Sequence, residues 1–373
     1  MAVERELLID ILRDTQPKSM VYMNSTVGNE NPEGTRENRR KRVREGLTHA
    51  GAPLSDVETI IAEMSQVTGV ADPSARFVVA RNGRLLYHSV MGGPMTSKEC
   101  IHHGPVVDVT PLLMQVPDDD CFLVVRVSRG GGDISVVVEG DREPMFSRRI
   151  EGDTSDINKV SVGRMSEAGH QRHVEEVWKH NQDEIAGHIT ELIASHHPRV
   201  IFLSGDVRAV QLLTEQLSDQ ARHLLHVIPG EGNAEGASEE GIRHAIDIHL
   251  DAARRRTNKE ILDRSAASSG QEQARGIGAV VHALAQGQAE VVLIDPTVLL
   301  EHDLLALDAE PWVATAPEDK LDANVLEDIV ATAAIVRAAV LTNARVRFVD
   351  PDEIGVGVGV VAALRWPVGP PTP

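Results

Sequence analysis

Four places along the chain carry residue types that could do chemistry. His173, Glu176 and His180 stand three and four residues apart, so a helix would bring two imidazoles and a carboxylate to one face, within reach of a metal ion. Without a third histidine the same pattern is more often a polar helix surface, and no metal is expected there. Gly169, His170 and Gln171 sit where a long loop is predicted to meet a long helix, the position of an exposed functional tip. A helix-entry loop with a glycine hinge is the other use of such a segment. Ser204, Gly205 and Asp206 close a predicted strand just before a helix, where backbone N–H groups can hold phosphate, although a single glycine makes a sparse cradle. Finally, Arg36, Arg39, Arg40, Lys41, Arg42 and Arg44 lie within nine residues of one predicted helix, a pattern suited either to RNA phosphate or to a solvated face.

Other chemistry has no foothold. No Gly-x-x-x-x-Gly-Lys-Ser/Thr loop, Gly-x-Ser-x-Gly elbow or His-Glu-x-x-His pair is present, so no catalytic residue, cofactor or metal is nominated. Gly130, Gly131 and Gly132 precede a predicted strand rather than a helix and suit a hairpin turn. Gly355, Gly357 and Gly359 alternate along another predicted strand, where glycine permits close backbone approach.

Positioning these residues needs a folded chain of some size. There are 373 residues, of which 42% are hydrophobic and 25% charged, a globular balance that excludes wholesale disorder. At roughly 100 to 200 residues per domain, two or three domains are expected. Lys and Arg number 37 against 56 Asp and Glu, giving a net charge of −19, which argues against a general binder of DNA or of anionic membranes. The acidity is uneven. Residues 1–50 hold 9 basic and 8 acidic groups, whereas residues 231–373 hold 12 and 23, so a local basic patch at the N-terminal end remains compatible with the total. Two cysteines, Cys100 and Cys121, are too few for a disulfide framework or a zinc ribbon. With no basic n-region at the first residues and no apolar stretch of 18, a cytoplasmic location and no membrane partner are expected.

The elements follow from periodicity and turn chemistry. An α/β domain over 1–117 is expected to hold a short helix with Leu7, Leu8, Ile11 and Leu12 on one face, a strand at 20–23 and a pair of helices. The second of these helices opens with a capping box at Ser55 and Glu58. A hairpin then turns at Asn82-Gly83. A middle domain over 118–231 should contain strands at 122–127, 134–138 and 144–150, a protruding loop at 151–170, and a long helix whose apolar face includes Val174, Val177, Trp178, Ile185, Ile189 and Leu192. A β-α-β unit follows that helix. The third domain, 232–373, alternates helices over 238–264, 271–286 and 325–341 with strands near 291–294, 312–315, 346–349 and 358–364, which predicts an α/β/α sandwich.

In this order the parts resemble a known family. A strand core, a protruding loop, a long helix and then a strand ending in Ser204-Gly205-Asp206 resemble the middle domain of archaeal and eukaryotic class I release factors and their Pelota relatives. The stretch 276–295, GIGAVVHALAQGQAEVVLID, is similar to their C-terminal domain, in which a helix ending in a Gly-containing turn feeds a buried strand. The resemblance covers roughly residues 120 to 370, and the whole layout is most like that of the bacterial Balon-type ribosome hibernation factors.

The resemblance implies a monomer lying in the vacant A site of an idle 70S ribosome. The N-terminal domain would reach toward the decoding centre and 16S rRNA. The middle loop would reach toward the peptidyl-transferase centre and 23S rRNA, and the C-terminal domain would face EF-Tu. On this basis the loop contacts are Arg164, Gly169, His170, Gln171 and Arg172, and the decoding-side contacts are Arg36, Arg39, Arg40, Lys41, Arg42 and Arg44. Two departures bear on activity. Release factors hydrolyse peptidyl-tRNA with a Gly-Gly-Gln tip, and here Gly169-His170-Gln171 has histidine at the second glycine. The Asn-Ile-Lys-Ser stop-codon motif is also absent from residues 1–116. The expectation is therefore a site-blocking binder rather than an enzyme, the alternative being a peptidyl-tRNA hydrolase in ribosome rescue or peptide release that acts through Gln171. A small-molecule enzyme with Ser204–Asp206 near its pocket has little beyond fold class to support it.

Overall fold

The computed structural model describes residues 2–26, 32–67, 70, 72–115, 121–138, 144–152, 167–229, 239–267 and 272–366. By packing, the chain divides into two compact units, one made of Met1–Pro117 with Ala253–Pro373 and the other of Asp118–Ala252.

The first part of the two-segment unit runs α1 (Ala2–Arg13), β1 (Lys18–Asn24), α2 (Pro32–His49), α3 (Leu54–Met64), β2 (Ser74–Arg81), β3 (Arg84–Gly92), β4 (Cys100–Gly104) and α4 (Thr110–Gln115). Its four strands form an antiparallel sheet in the order β3-β2-β1-β4. Because side chains alternate across a strand, central β1 serves two cores: Val21 and Met23 pack under Val43, Leu47, Val57 and Ile60 of α2 and α3, while Met20 and Tyr22 pack with Leu8, Ile11 and Leu12 of α1. The Asn82-Gly83 hairpin forms as expected, with positive φ at both turn residues and Gly83 N donating to the buried Asp56 carboxylate at 2.7 Å. The capping box expected at Ser55 does not form. Helix α3 opens at Leu54 behind Pro53, and no side chain caps it.

The middle unit holds β5 (Cys121–Ser128), β6 (Gly131–Val138), β7 (Phe146–Glu151), α5 (Glu167–His196), β8 (Ile201–Gly205), α6 (Val207–Gln216), α7 (Asp219–Leu224) and β9 (Leu225–Val227). Its five-stranded sheet is ordered β7-β6-β5-β8-β9, antiparallel through β7, β6 and β5 and parallel from β5 to β9. Leu123, Val125, Val127, Ile134 and Leu203 on one face bury Ile185, Ile189 and Ile193 of α5. On the other face Phe122 and Phe202 bury Ile242 and Ile246 from the first half of α8 (Glu239–Ala267). The division between units falls within α8.

The second part of the two-segment unit continues through β10 (Gln273–Arg275), α9 (Ile277–Ala285), β11 (Ala289–Ile294), α10 (Pro296–Leu299), β12 (Asp303–Leu307), β13 (Val313–Ala314), β14 (Val325–Val330), α11 (Ala331–Leu341), β15 (Arg345–Phe348), α12 (Pro351–Ile354) and β16 (Val360–Leu364). In the sheet β10-β16-β11-β15, Val292, Ile294, Val360 and Ala362 face α9 and α11, while Val291, Leu293, Val361 and Ala363 face Ile261 of α8. This is the layered α/β/α arrangement the sequence suggested. Three expectations are corrected. The stretch 325–341 is not one helix: Val325–Val330 pairs with β12, and α11 begins only at Ala331. The stretch 271–286 is broken by Gly276 at φ 80° into β10 and α9. Gly355, Gly357 and Gly359 adopt φ of 95°, 81° and 72°, left-handed turn geometry that excludes them from the strand they precede.

The first and last stretches of the chain, separate domains by the sequence expectation, share one core. Leu8, Ile11 and Leu12 belong to the same apolar cluster as Ile335, Val336 and Ala339 of α11. Polar groups cross this contact too. Arg337, 1% exposed, donates from Nε to Leu12 O (3.1 Å) and from Nη1 to Leu307 O (3.0 Å) and Trp312 O (3.3 Å), with its guanidinium 5.7 Å over the Trp312 ring. Burial pulls Arg337 down to about 10, against the pull of Asp308. Lys18, fully buried, donates to the backbone carbonyls of Asp14 and Gln16. Burial pushes its ammonium down to about 8, with Asp14 opposing and Arg81 and Arg337 adding to the shift.

Candidate functional site

The basic run lies on α2, where one face is fixed by Val43 and Leu47 in the core. Helical geometry therefore sorts the six cations. Arg39 turns inward, 7% exposed, and donates from Nη2 to Thr26 O at 2.8 Å, so its charge is spent on the fold. The others stay at the surface in loose pairs: Arg36 and Arg40 with Glu33 at 3.8 and 3.5 Å, Lys41 with Glu45 at 3.9 Å, and Arg42 with Glu99 at 3.2 Å. Arg44 is exposed and makes no ion pair or hydrogen bond among the described residues. Exposed pairs of this kind are worth roughly 0 to 1 kcal/mol, so each cation can exchange its carboxylate for a phosphate at little cost.

The second expected contact set lies in the middle unit. Gly169, His170, Gln171 and Arg172 fall within the first turns of α5, which begins at Glu167, inside the stretch 151–170 expected as loop. Arg164 lies outside the described residues. What positions these turns is a set of polar ties just downstream. The Arg129 guanidinium, at the end of β5, lies 4.8 Å over the Trp178 ring and pairs with Asp206 at 3.2 Å. Asn181 Nδ2 donates to Arg129 O (3.2 Å) and Gln182 Nε2 to Ser128 O (3.0 Å), both from buried positions. Arg208 Nη2 pairs with Glu175 at 3.3 Å. Four residues over two turns of α5 are thus tied to the end of β5 and the start of α6, with the Gly169–Arg172 turn immediately before them.

The same junction decides between two earlier readings. Gly205 needs its φ of 140°, and a Cβ there would run into the carbonyl oxygen of Val127. Asp206 then caps α6, its Oδ1 accepting from Arg208 N (3.0 Å) and Ala209 N (3.2 Å). Burial works to raise this carboxyl, but the Arg129 hydrogen bond and charge and the two backbone donors outweigh it and hold Asp206 below its ordinary value. A carboxylate therefore already caps this helix N-terminus, and its negative charge opposes a phosphate at Ser204–Asp206. His173, Glu176 and His180 all lie on α5, and among the described residues no group of three His, Cys, Asp or Glu side chains comes together for a metal. Nor is any described helix long and apolar enough to cross a membrane.

Sequence reasoning placed Trp178 in the apolar face of α5, whereas it carries Arg129 instead. It also passed over Asn181 and Gln182, whose signal was two amides next to the buried stripe that starts at Ile185.

Comparison with known proteins centres on the middle unit. Residues 121–271 match the bacterial archaeo-eukaryotic release factor family 2. No curated protein matches the chain in sequence. Among solved structures it is similar to Saccharomyces cerevisiae Dom34, a translation termination-like factor that interacts with Hbs1. The two share 9% identity over 98% of this chain and 92% of that one, with a TM-score of 0.40. It is also similar to Archaeoglobus fulgidus Pelota, at 13% identity over 80% of this chain and 81% of that one with a TM-score of 0.36. For ribosome-bound archaeal Pelota the figures are 12% identity, 99% and 95% coverage, and a TM-score of 0.39.

Proposed function

We propose that this release-factor-like chain is a ribosome-associated factor of the cytoplasm that occupies the vacant A site of idle 70S ribosomes, with EF-Tu as partner, and does not hydrolyse peptidyl-tRNA. The observation that carries the reading is the combination of a release-factor-type segment at 121–271 with a tip that reads Gly169-His170-Gln171. Glycine at the second tip position would permit backbone shapes that histidine lacks, so the tip suits a contact with rRNA better than the placement of a water for hydrolysis. Two further features support RNA binding. Arg36, Arg40, Lys41 and Arg42 stand at the surface of α2 in weak pairs, Arg44 stands exposed there without one among the described residues, and the first turns of α5 lead into the Arg129–Trp178–Asp206 ties.

The reading is tested by sedimenting the purified protein with 70S ribosomes over a range of salt concentrations, with and without EF-Tu. Binding should weaken steeply with salt, as expected when several phosphates are neutralised, and EF-Tu should increase the bound fraction. A parallel assay on peptidyl-tRNA in stalled ribosomes should show no release above background. Release that Gln171→Ala abolishes would replace the hibernation reading with rescue, and failure to sediment under all conditions would remove both.

A further inference from the structure

A second candidate site lies far along the chain, in the acidic C-terminal stretch. Of the 12 basic residues in 231–373, five (Arg254, Arg255, Arg256, Lys259 and Arg264) fall within 11 residues of α8, against only Glu260 and Asp263 in the same span. Beside this helix, between it, β10 and the end of α12, runs a groove of about 580 Å³, a size that suits one small ligand.

The lining separates by chemistry. Leu262, Ala266 and Ile354 give it an apolar floor. Arg255, Lys259 and Arg275 supply positive charge and Asp263 a carboxylate, while the Gln273 amide already donates to Ser265 Oγ (3.1 Å) and accepts from Arg275. The remaining carboxylates are already engaged. Asp352 pairs with Arg255 at 3.3 Å, and Glu353 accepts from Asn258 Nδ2 (3.0 Å) and from Asp350 N (3.1 Å). Lys259 makes no ion pair or hydrogen bond among the described residues. Arg275 uses one donor on Gln273 Oε1 (3.2 Å) and one on Ile354 O (2.6 Å), which fixes its guanidinium and leaves further N–H groups.

We propose that this groove binds a nucleotide. Lys259 and the spare donors of Arg275 take the phosphate. The base lies on Leu262, Ala266 and Ile354 against the guanidinium plane of Arg275, and Asp263 accepts from a base amine or a ribose hydroxyl. A free nucleotide and one nucleotide of an RNA chain offer the same groups. The assignment to a nucleotide rests on the RNA-binding reading above.

The test uses the full chain with labelled Ile, Leu and Ala methyl groups, titrated separately with AMP, inorganic phosphate and a short single-stranded RNA. AMP should shift the methyls of Leu262, Ala266 and Ile354 and bind at least about tenfold tighter than phosphate. Lys259→Glu should weaken AMP binding about tenfold or more without moving the unfolding midpoint, because the side chain is exposed and makes no ion pair or hydrogen bond among the described residues, and Lys259→Arg should restore it. RNA that shifts the same methyls assigns the site to an RNA chain; RNA that leaves them still while AMP moves them assigns it to free nucleotide. Unmoved groove methyls in both titrations, phosphate binding as tightly as AMP, or Lys259→Glu behaving as wild type would each overturn the proposal. No ribosome enters this titration, so its failure leaves the sedimentation result standing and the reverse also holds.

Discussion

Arg42 and Arg44 on α2 face solvent, whereas Lys18 and Arg337, also cations in the same compact unit, are almost wholly buried. Arg42 has a weak surface pair with Glu99 that a phosphate can replace, and Arg44 makes no ion pair or hydrogen bond among the described residues. The buried two donate to backbone carbonyls of Asp14 and Gln16 (Lys18) and of Leu12, Leu307 and Trp312 (Arg337), the last three from distant parts of the chain. A cation is available for binding only where its hydrogen-bonding capacity is unspent, and burial sets that, not the density of Lys and Arg in the sequence. Arg39 makes the point within one helix, since it belongs to the basic run but turns inward to Thr26 O.

The contrast can be broken at the buried end first. Arg337→Ala should destabilise the two-segment unit by about 3 to 5 kcal/mol, since it removes a large buried side chain and orphans carbonyl oxygens. Denaturant unfolding of the full chain would show this as a lower midpoint, and an unchanged midpoint would mean that the contact between first and last stretches carries little stability.

Lys18 gives a pH signature of opposite sign to the usual ion pair. Its value falls from 10.5 to about 8 on folding, so between those values the unfolded chain binds more protons than the folded one. Stability should therefore rise as pH increases from about 8 to 10.5, by up to about 3 kcal/mol at roughly 1.4 kcal/mol per unit. Unfolding midpoints of wild type and Lys18→Met across this range provide the check: the variant should lose the slope.

At the α5 junction the effects are smaller. Asp206→Ala removes the cap of α6 and the partner of Arg129, and should cost about 1 kcal/mol while shifting Trp178 emission. Because the Asp206 carboxyl is held below 3.8, its stabilisation is complete above that pH and is lost as pH falls through the lower folded value. Least costly to the fold is the double charge reversal Arg42→Glu with Arg44→Glu, which should change stability by less than about 0.5 kcal/mol yet flatten the salt dependence of ribosome binding. Arg39→Glu should do the reverse, unfolding the helix from its core before it affects any RNA contact.

Much of the fold was legible because periodicity is local. The Asn82-Gly83 hairpin, the strands of the middle sheet and the strand-to-helix junction before α6 follow from turn chemistry and alternation. The largest misreading of an element comes from partnership with a distant strand, whereas the breaks at Gly276 and at Gly355–Gly359 come from positive φ. Val325–Val330 has no helix-breaking residue to end a helical pattern, and only pairing with Asp303–Leu307 makes it a strand. The common core of α1 and α11 joins residues more than 300 positions apart, as the 325-residue separation of Leu12 and Arg337 illustrates, and no local pattern encodes that. For the candidate site, spacing alone put the basic run on one helix, but the Arg129–Trp178–Asp206 ties, which bring together side chains 77 residues apart, became visible only with the fold.

The most direct test of the central claim is cryo-electron microscopy of the ribosome-bound fraction. The account predicts density in the A site, with the turn Gly169–Arg172 at the peptidyl-transferase centre and α2 against 16S rRNA. Density elsewhere on the ribosome, or α2 facing solvent in the bound state, would contradict it.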